Sequence, residues 1–405
     1  MNQTIEFSVP ATLALAALVL IVGRALINRV AFLQRYSIPA AVVGGLLAAV
    51  TAALLHVRGI HLAFDKSLQP SLMLAFFATV GLGADVRMLA RGGKMLLIFT
   101  LVIIAMLVIQ NLIGFGMAKM LGIDPLIGLI AGSITMAGGH GTGAAWGQKF
   151  ADAYGLTAAP TLALAAATFG LVAGGLIGGP VSRRLVEQLA ARGEPLGETG
   201  GREARVTDEA EARGPITADR LIITILLITT CMVAGLNLVK WTDNPSFTLP
   251  TFVWTLFTGA VIRNLLAQFR WHEVDSASLE FAGNISLSLF LAMALMSLRL
   301  WEVASLAGPM LIILILQVIA VALVATLITF PLTGRNYESA VLVAGQCGFG
   351  LGATPTAIAN MQAVTEKFGY ARQAFIVVPV VGAFLIDIIN AIVIGGFVTW
   401  LAPAR

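Results

Sequence analysis

Long apolar runs broken by short polar punctuation set the pattern of this chain. Uncharged stretches cover positions 7–23, 38–55, 67–84, 95–118, 153–182, 221–239, 246–262, 281–298, 303–334, 339–365 and 373–403, the last interrupted only by Asp387. A helix that crosses a bilayer needs about 20 residues, within a range of roughly 17–25. The runs predict helices over 8–27, 39–57, 68–86, 95–120 and 156–182. A second set is predicted over 218–240, 249–267, 281–299, 304–331 and 372–400. The expected fold class is therefore an all-α polytopic membrane protein.

Composition agrees. The 405 residues are 58% hydrophobic and 11% charged, whereas soluble domains carry about 25% charged residues. An ordinary water-soluble enzyme is excluded on that ground. The two cysteines, Cys231 and Cys347, fall in apolar runs with no metal-ligand or redox spacing. No H-E-x-x-H, nucleophile elbow or intramembrane carboxylate pair appears, so an enzyme is not the expected class.

Charge is concentrated in one segment, 183–220, which includes "ARGEPLGETGGREARVTDEAEARG". It reads as a charged cytoplasmic linker. The expected organisation is a first repeat over 1–182, the linker over 183–220 and a second repeat over 221–405. The halves share landmarks. "IPAAVVGGLLAAV" resembles "LPTFVWTLFTGAV", and "AGSITMAGG" parallels "AGQCGFGLG". Pro39 and Pro250 are offset by 211, Gly139 and Gly352 by 213, and Phe76 and Phe290 by 214. A near-constant offset points to internal duplication. Five spans per half then place the second half upside down, an inverted-topology repeat. More arginine and lysine falls on one side when both termini are outside and the linker is inside, which selects that orientation.

Two glycine-rich runs, 125–148 and 337–362, interrupt this regular pattern. Each glycine in a helix interior costs roughly 1 kcal/mol relative to alanine. Gly138, Gly139, Gly141 and Gly143 crowd the first run, and Gly350, Gly352 and Pro355 the second. Each run reads as a re-entrant hairpin of two half-helices that turns within the membrane. Such irregular backbone survives at that depth only against protein or a water-filled cavity. Singly spaced glycines, Gly174, Gly178 and Gly179, read instead as close-packing positions.

The polar groups of the hairpins suit a small zwitterionic anion. Ser133, Thr135, His140 and Thr142 lie at the first tip, with Gln346, Thr354, Thr356 and Asn360 in or beside the second. Half-helix N-termini accept carboxylates, and unwound carbonyls coordinate sodium. His140 has three open roles: donor to a carboxylate, proton relay or structural histidine. Asp387 sits well inside the last apolar run with no basic neighbour in sequence, so a sodium ion or a proton is its natural companion. Asn390 shares its helix face at i+3. Asp85 and Arg87 read as interfacial. Gln110 and Asn111 read as interhelical hydrogen-bonders, with lining of the path the alternative.

The chain also resembles the bacterial sodium/glutamate symporters over nearly its full length. The resemblance is carried by "LMLAFFATVGL", "GLIAGSITMAGGHGTGAAW", "ATFGLVAGGLIGGPV", "GNISLSLFLAMALM" and "CGFGLGATPTAIANMQAVTEKFG". It fails near 187–216 and at both termini. The resemblance implies sodium-coupled uptake of L-glutamate across a bacterial inner membrane. It also implies a homodimer, elevator-like movement of a transport domain and no nucleic-acid partner. It places a GGxG-type motif at Gly138, Gly139 and Gly141, and more loosely at Gly348, Gly350 and Gly352. On that reading the tip residues hold glutamate, and Asp387 and Asn390 hold sodium. The alternative is a sodium- or proton-coupled carrier for another small carboxylate.

Overall fold

The computed structural model describes residues 3–35, 38–196, 216–241, 249–269, 274–298 and 306–401. The first-half helices are α1 (Val9–Ile27), α2 (Ala40–Val57), α3 (Gln69–Leu82), α4 (Leu89–Met120), α5 (Pro125–Leu129), α6 (Gly139–Tyr154) and α7 (Ala159–Ala191). Those of the second half are α8 (Ala218–Trp241), α9 (Thr251–Phe269), α10 (Ser276–Met296), α11 (Ala307–Leu323), α12 (Tyr337–Phe349), α13 (Thr354–Phe368), α14 (Arg372–Val380) and α15 (Ile386–Leu401).

Eight helices among the described residues are long and apolar enough to cross a membrane. Several of the predicted spans differ from expectation, among them the one expected over 304–331, which passes into a π turn at Val324–Thr329 after α11. The helix expected over 68–86 stops at Leu82, where Gly83, Ala84 and Asp85 close the end. The helix expected over 372–400 is bent by a wider π turn at Val381–Leu385, just after Pro379. Proline lacks the N–H that would continue the ladder, and a π turn absorbs the mismatch. One departure from an all-helical chain is a two-stranded parallel ribbon. Gln3–Phe7 pairs with Ile60–Phe64, and the Phe7 ring stacks on Phe64 at 5.2 Å.

α7 runs on to Ala191, into the stretch read as a linker. Ser182, Leu185, Val186 and Leu189 are buried there. That spacing of three, four and seven is the apolar stripe of a packed helix, and the Ser182 hydroxyl donates to the Ala340 carbonyl at 2.6 Å. Positions 197–215 of the stretch lie outside the described residues.

The helices sort into two packed groups. In the first, α1 packs on α2 and α8 on α9. The pairs then interlock, because α2 packs on α10 and α9 on α3. Gly45 of α2 faces Leu295 of α10, and Gly259 of α9 faces Gly81 of α3. Both glycines and both partners differ by 214 positions. A Cβ at Gly259 would lie 2.9 Å from the Ala78 carbonyl oxygen, so only glycine permits this approach. The second group holds α4 to α7 and α11 to α15. There α12 and α13 pack against α7, and α4 packs against α5 and α11. Contacts between the groups are sparser and run chiefly through α6, α9 and α10. Large apolar side chains such as Ile222, Leu226 and Val233 on α8 stay exposed, as expected of surfaces that face lipid rather than water.

An ion cluster fastens the first group at the end of α3. Arg263 of α9 reaches the Asp85 carboxylate at 3.2 Å, and Arg87 reaches it at 2.7 Å. Asn264 donates to the Ala84 carbonyl and accepts the Val86 N–H. The hydrogen bond from Arg87 outweighs the opposing effect of burial and, with the nearby Arg263 charge, holds the Asp85 carboxyl at about 2. A depressed carboxyl contributes stability above its ordinary range near 3.8 and loses it as pH falls through about 2. Replacing Arg263 by methionine is expected to lower thermal stability at neutral pH by about 1–3 kcal/mol, because it leaves Asp85 with one partner fewer. Melting in detergent should show the variant's deficit near pH 7 and its disappearance toward pH 2. A deficit that persists unchanged at low pH would show that packing, not charge, holds the joint.

Candidate functional site

Each glycine-rich run forms a broken helix pair. In the first, Asp124 caps α5 by accepting the Leu126 N–H at 2.9 Å. The helix continues through a π turn at Ile130–Ile134 and breaks at Gly132, whose ψ is −142°. The chain turns at Ala137 and Gly138, and α6 starts at Gly139 with φ +63°. In the second, Asn336 caps α12 by accepting the Ser339 N–H at 2.9 Å. Gly350 to Gly352 make the turn, extended Ala353 follows, and α13 starts with Thr354 and Pro355. Pro355 stands in the first turn of the helix, where a missing N–H costs nothing.

The two tips meet. A Cβ added at Gly139 would lie 2.9 Å from the Gly352 carbonyl oxygen. Glycine is required twice at Gly139, by positive φ and by that approach. The second tip rests on α7, where Gly174 faces the Cys347 carbonyl and Gly178 faces Asn360. These two are close-packing glycines as read. At Gly179 nothing among the described residues lies within 4 Å of the Cβ position.

Some of the expected site residues converge. Ser133 is fully buried; its N–H donates to Asn111 Oδ1 at 2.9 Å, and its carbonyl accepts from Asn390 Nδ2 at 2.9 Å. Ser133 Oγ, Asn111 Nδ2 and Asn390 Oδ1 are buried with no partner among the described residues. Three orphaned polar atoms on three joined residues mark a place where a ligand or water completes the bonding. Asp387 lies three positions before Asn390 on α15, half-buried, and no hydrogen bond or ion pair engages it among the described residues. The Thr354 hydroxyl donates to the Gly382 carbonyl at 2.5 Å, which pins the start of α13 to the bend before Asp387.

Other expected site residues are committed to the protein itself. The Thr135 hydroxyl donates to the Ile130 carbonyl at 2.6 Å, within its own turn. Gln346 Oε1 accepts the Thr329 hydroxyl at 2.5 Å, and its Nε2 lies 3.4 Å from the Met106 sulfur. Asn360 Nδ2 donates to the Gly174 carbonyl at 2.9 Å, tying α13 to α7. His140 Nε2 lies 3.0 Å from the Thr168 hydroxyl, which itself donates to the Leu164 carbonyl. The Thr168 hydroxyl thus links the His140 ring to α7. Gly141 faces Phe76, and Thr142 is buried beside Gly138. Thr356 keeps a buried hydroxyl with no partner among the described residues.

Gln110 bonds between helices as read, and two residues not singled out in the sequence, Gln317 and Trp146, join it. Gln110 Nε2 donates to the Gly350 carbonyl at 2.8 Å, and Gln317 Nε2 donates to the Gln110 carbonyl at 2.7 Å. Trp146 of α6 is fully buried, with its ring 5.8 Å from Phe252 of α9, which makes it part of the joint between the two helix groups. Asparagine and glutamine in otherwise apolar runs were the available signal for Asn111, Gln110 and Gln317. Nothing in the sequence marks Trp146.

A cavity of about 270 Å³ lies between the groups, lined by Lys66 and Gln69 before and on α3, Gln148 and Asp152 on α6, Thr161 on α7 and Phe290 on α10. A second, of about 490 Å³, is lined by Lys94 on α4, Thr333, Asn336, and Gln373 on α14. The first flanks an arm of the first broken pair, and the second flanks the base of the other.

Apolar helices around a buried, polar-lined junction of broken helices define a multi-pass membrane transporter. The sodium/glutamate symporter family model matches residues 5–370. Sodium/glutamate symporters of Escherichia coli K12 and Shigella flexneri are each 52% identical over 95% of this chain and 96% of their own length. That of Haemophilus influenzae is 46% identical over the same shares. The chain belongs to the sodium/glutamate symporter family.

Proposed function

We propose that this chain carries glutamate inward, driven by sodium, and that the junction of Gly139 and Gly352 beside Ser133 and Asn390 is its binding site. The observation that carries this reading is the meeting of the two broken pairs where three buried polar atoms lack partners. The 5–370 family match and the relatives' names supply the substrate and the ion. Backbone N–H groups at the starts of α6 and α13 face the substrate carboxylates, with Ser133, Thr142 and Thr356 beside them. Asp387, Asn390 and carbonyls of the tips hold sodium.

The two broken pairs act as re-entrant hairpins of two inverted repeats. The equal 214-residue offset of the Gly45–Leu295 and Gly259–Gly81 contacts supports that two-fold relation. The division into two helix groups joined by sparse contacts supports elevator-like movement, with α4–α7 and α11–α15 travelling against the other group. Both termini lie outside a bacterial inner membrane, and two chains form a homodimer. Sodium compensates the carboxylate charge; each net positive charge moved inward through 100 mV gains about 2.3 kcal/mol.

Purified protein in vesicles tests the coupling. Labelled glutamate is expected to accumulate only under an inward sodium gradient. Equal accumulation without sodium overturns the coupling. Competition by dicarboxylates that lack an amine, as effective as by glutamate itself, overturns the choice of substrate.

A further inference from the structure

Gln110 and Gln317 are both fully buried, and the carboxamide oxygen of each has no partner among the described residues. Their nitrogens are engaged, Gln110 with the Gly350 carbonyl and Gln317 with the Gln110 carbonyl. The nitrogens therefore steer both side chains to the place where α4, α11 and the second tip touch. The break at Gly132 adjoins the same spot, since a Cβ there would lie 3.1 Å from the Gln110 carbonyl oxygen. A break in a helix frees backbone carbonyls from the i→i−4 ladder. What this locus offers is unpartnered oxygen acceptors with no carboxylate among them, and such sets suit a monovalent cation. It adjoins the Ser133–Asn390 cluster through Asn111, the residue after Gln110.

We infer that Gln110 Oε1 and Gln317 Oε1 belong to a second sodium site, built from neutral carbonyls and separate from Asp387. Charge balance gives it a purpose. One sodium at Asp387 neutralises that carboxylate, and glutamate still brings a net charge of about −1. A cation held by neutral ligands cancels the substrate's charge, so the loaded junction crosses the hydrocarbon uncharged. An uncompensated charge there costs about 2.5–3.5 kcal/mol or more. The charge count rests on the sodium-coupled reading above; the geometry of the two glutamines does not.

The test compares Gln317→Met with Gln317→Glu in full-length protein in vesicles, reading uptake against sodium at saturating glutamate. Both variants lose the amide donor, but glutamate keeps oxygen ligands and methionine keeps none. Gln317→Met is expected to raise half-saturating sodium about tenfold and to lower the steepness of the sodium curve. Gln317→Glu is expected to keep a steep curve at sodium levels near those of the unmodified protein. A structural role would impair both alike through the lost bond to Gln110, and that outcome overturns the site. So does an unchanged sodium curve in Gln317→Met. A measurement on unmodified protein guards against misfolded variants: labelled sodium should bind at more than one site per chain without glutamate. A single site per chain overturns the proposal, and absence of any sodium-driven uptake in unmodified protein overturns the sodium-coupled reading instead.

Discussion

Asp387→Asn is expected to raise the sodium needed for half-maximal glutamate uptake on the order of 100-fold, from the roughly 2.5–3.5 kcal/mol that a buried charge is worth. Asparagine preserves the shape of the side chain and removes only the charge. In the structure Asp387 is half-buried on the first turn of α15, beyond the bend at Val381–Leu385, and no basic side chain engages it among the described residues. A carboxylate so placed needs a cation to stay ionised in an apolar interior. Its neighbour Asn390 reaches the first tip through the Ser133 carbonyl, so α15 is tied to the first half of the chain one turn beyond Asp387. Sodium curves of variant and unmodified protein give the answer, and superimposable curves remove Asp387 from the ion site.

The second large effect belongs to Gly139. Gly139→Val is expected to lower the uptake rate at least about 30-fold, from two additive causes. A left-handed backbone costs a side chain about 1–2 kcal/mol, and forcing atoms into a packed contact costs a further 1–3 kcal/mol. Gly139 has φ +63°, and the Gly352 carbonyl stands 2.9 Å from where its Cβ would lie. Valine must therefore push the two tips apart. Gly155 separates the two causes. Its φ is +69°, but nothing among the described residues lies within 4 Å of its Cβ position. Gly155→Val carries the backbone strain alone and should lose far less transport. Equal losses at the two positions would assign the effect to strain and take the tip contact out of the mechanism.

The broken pairs were readable because glycine and proline defy the helix that every neighbour favours. The run from Met136 to Gly147 and the run around Gly350 stood out against apolar surroundings, and each contains a turn between two helices, at Ala137–Gly138 and at Gly350–Gly352. The extension of α7 was readable too, since Ser182, Leu185, Val186 and Leu189 follow a helical stripe, but the surrounding charge masked it. Single polar residues were harder to assign. Gln346, Thr354 and Asn360, read as groups for a substrate, and His140, read with three open roles, each have a hydrogen-bond partner within the protein. Gln110 and Asn111, read as interhelical hydrogen-bonders, do make such bonds, and they, like Gln317, keep an orphaned atom at the junction. A side chain's identity tells which bonds it offers. Whether a neighbour has already taken them depends on residues up to 257 positions away, as in the bond from Asn390 to Ser133.

By itself the sequence determined the membrane class, the rough bounds of most long helices and the two places where they break, whereas ten spans were expected and eight helices of spanning length stand among the described residues. Each follows from local physics: apolar length against bilayer thickness, and the cost of glycine and proline in a helix. Only the tertiary structure decided that the two breaks meet and that α2 and α9 exchange partners between the halves. It also decided which polar atoms remain unsatisfied. Those outcomes depend on helix–helix contacts between distant parts of the chain, where one small residue sets how closely two backbones approach.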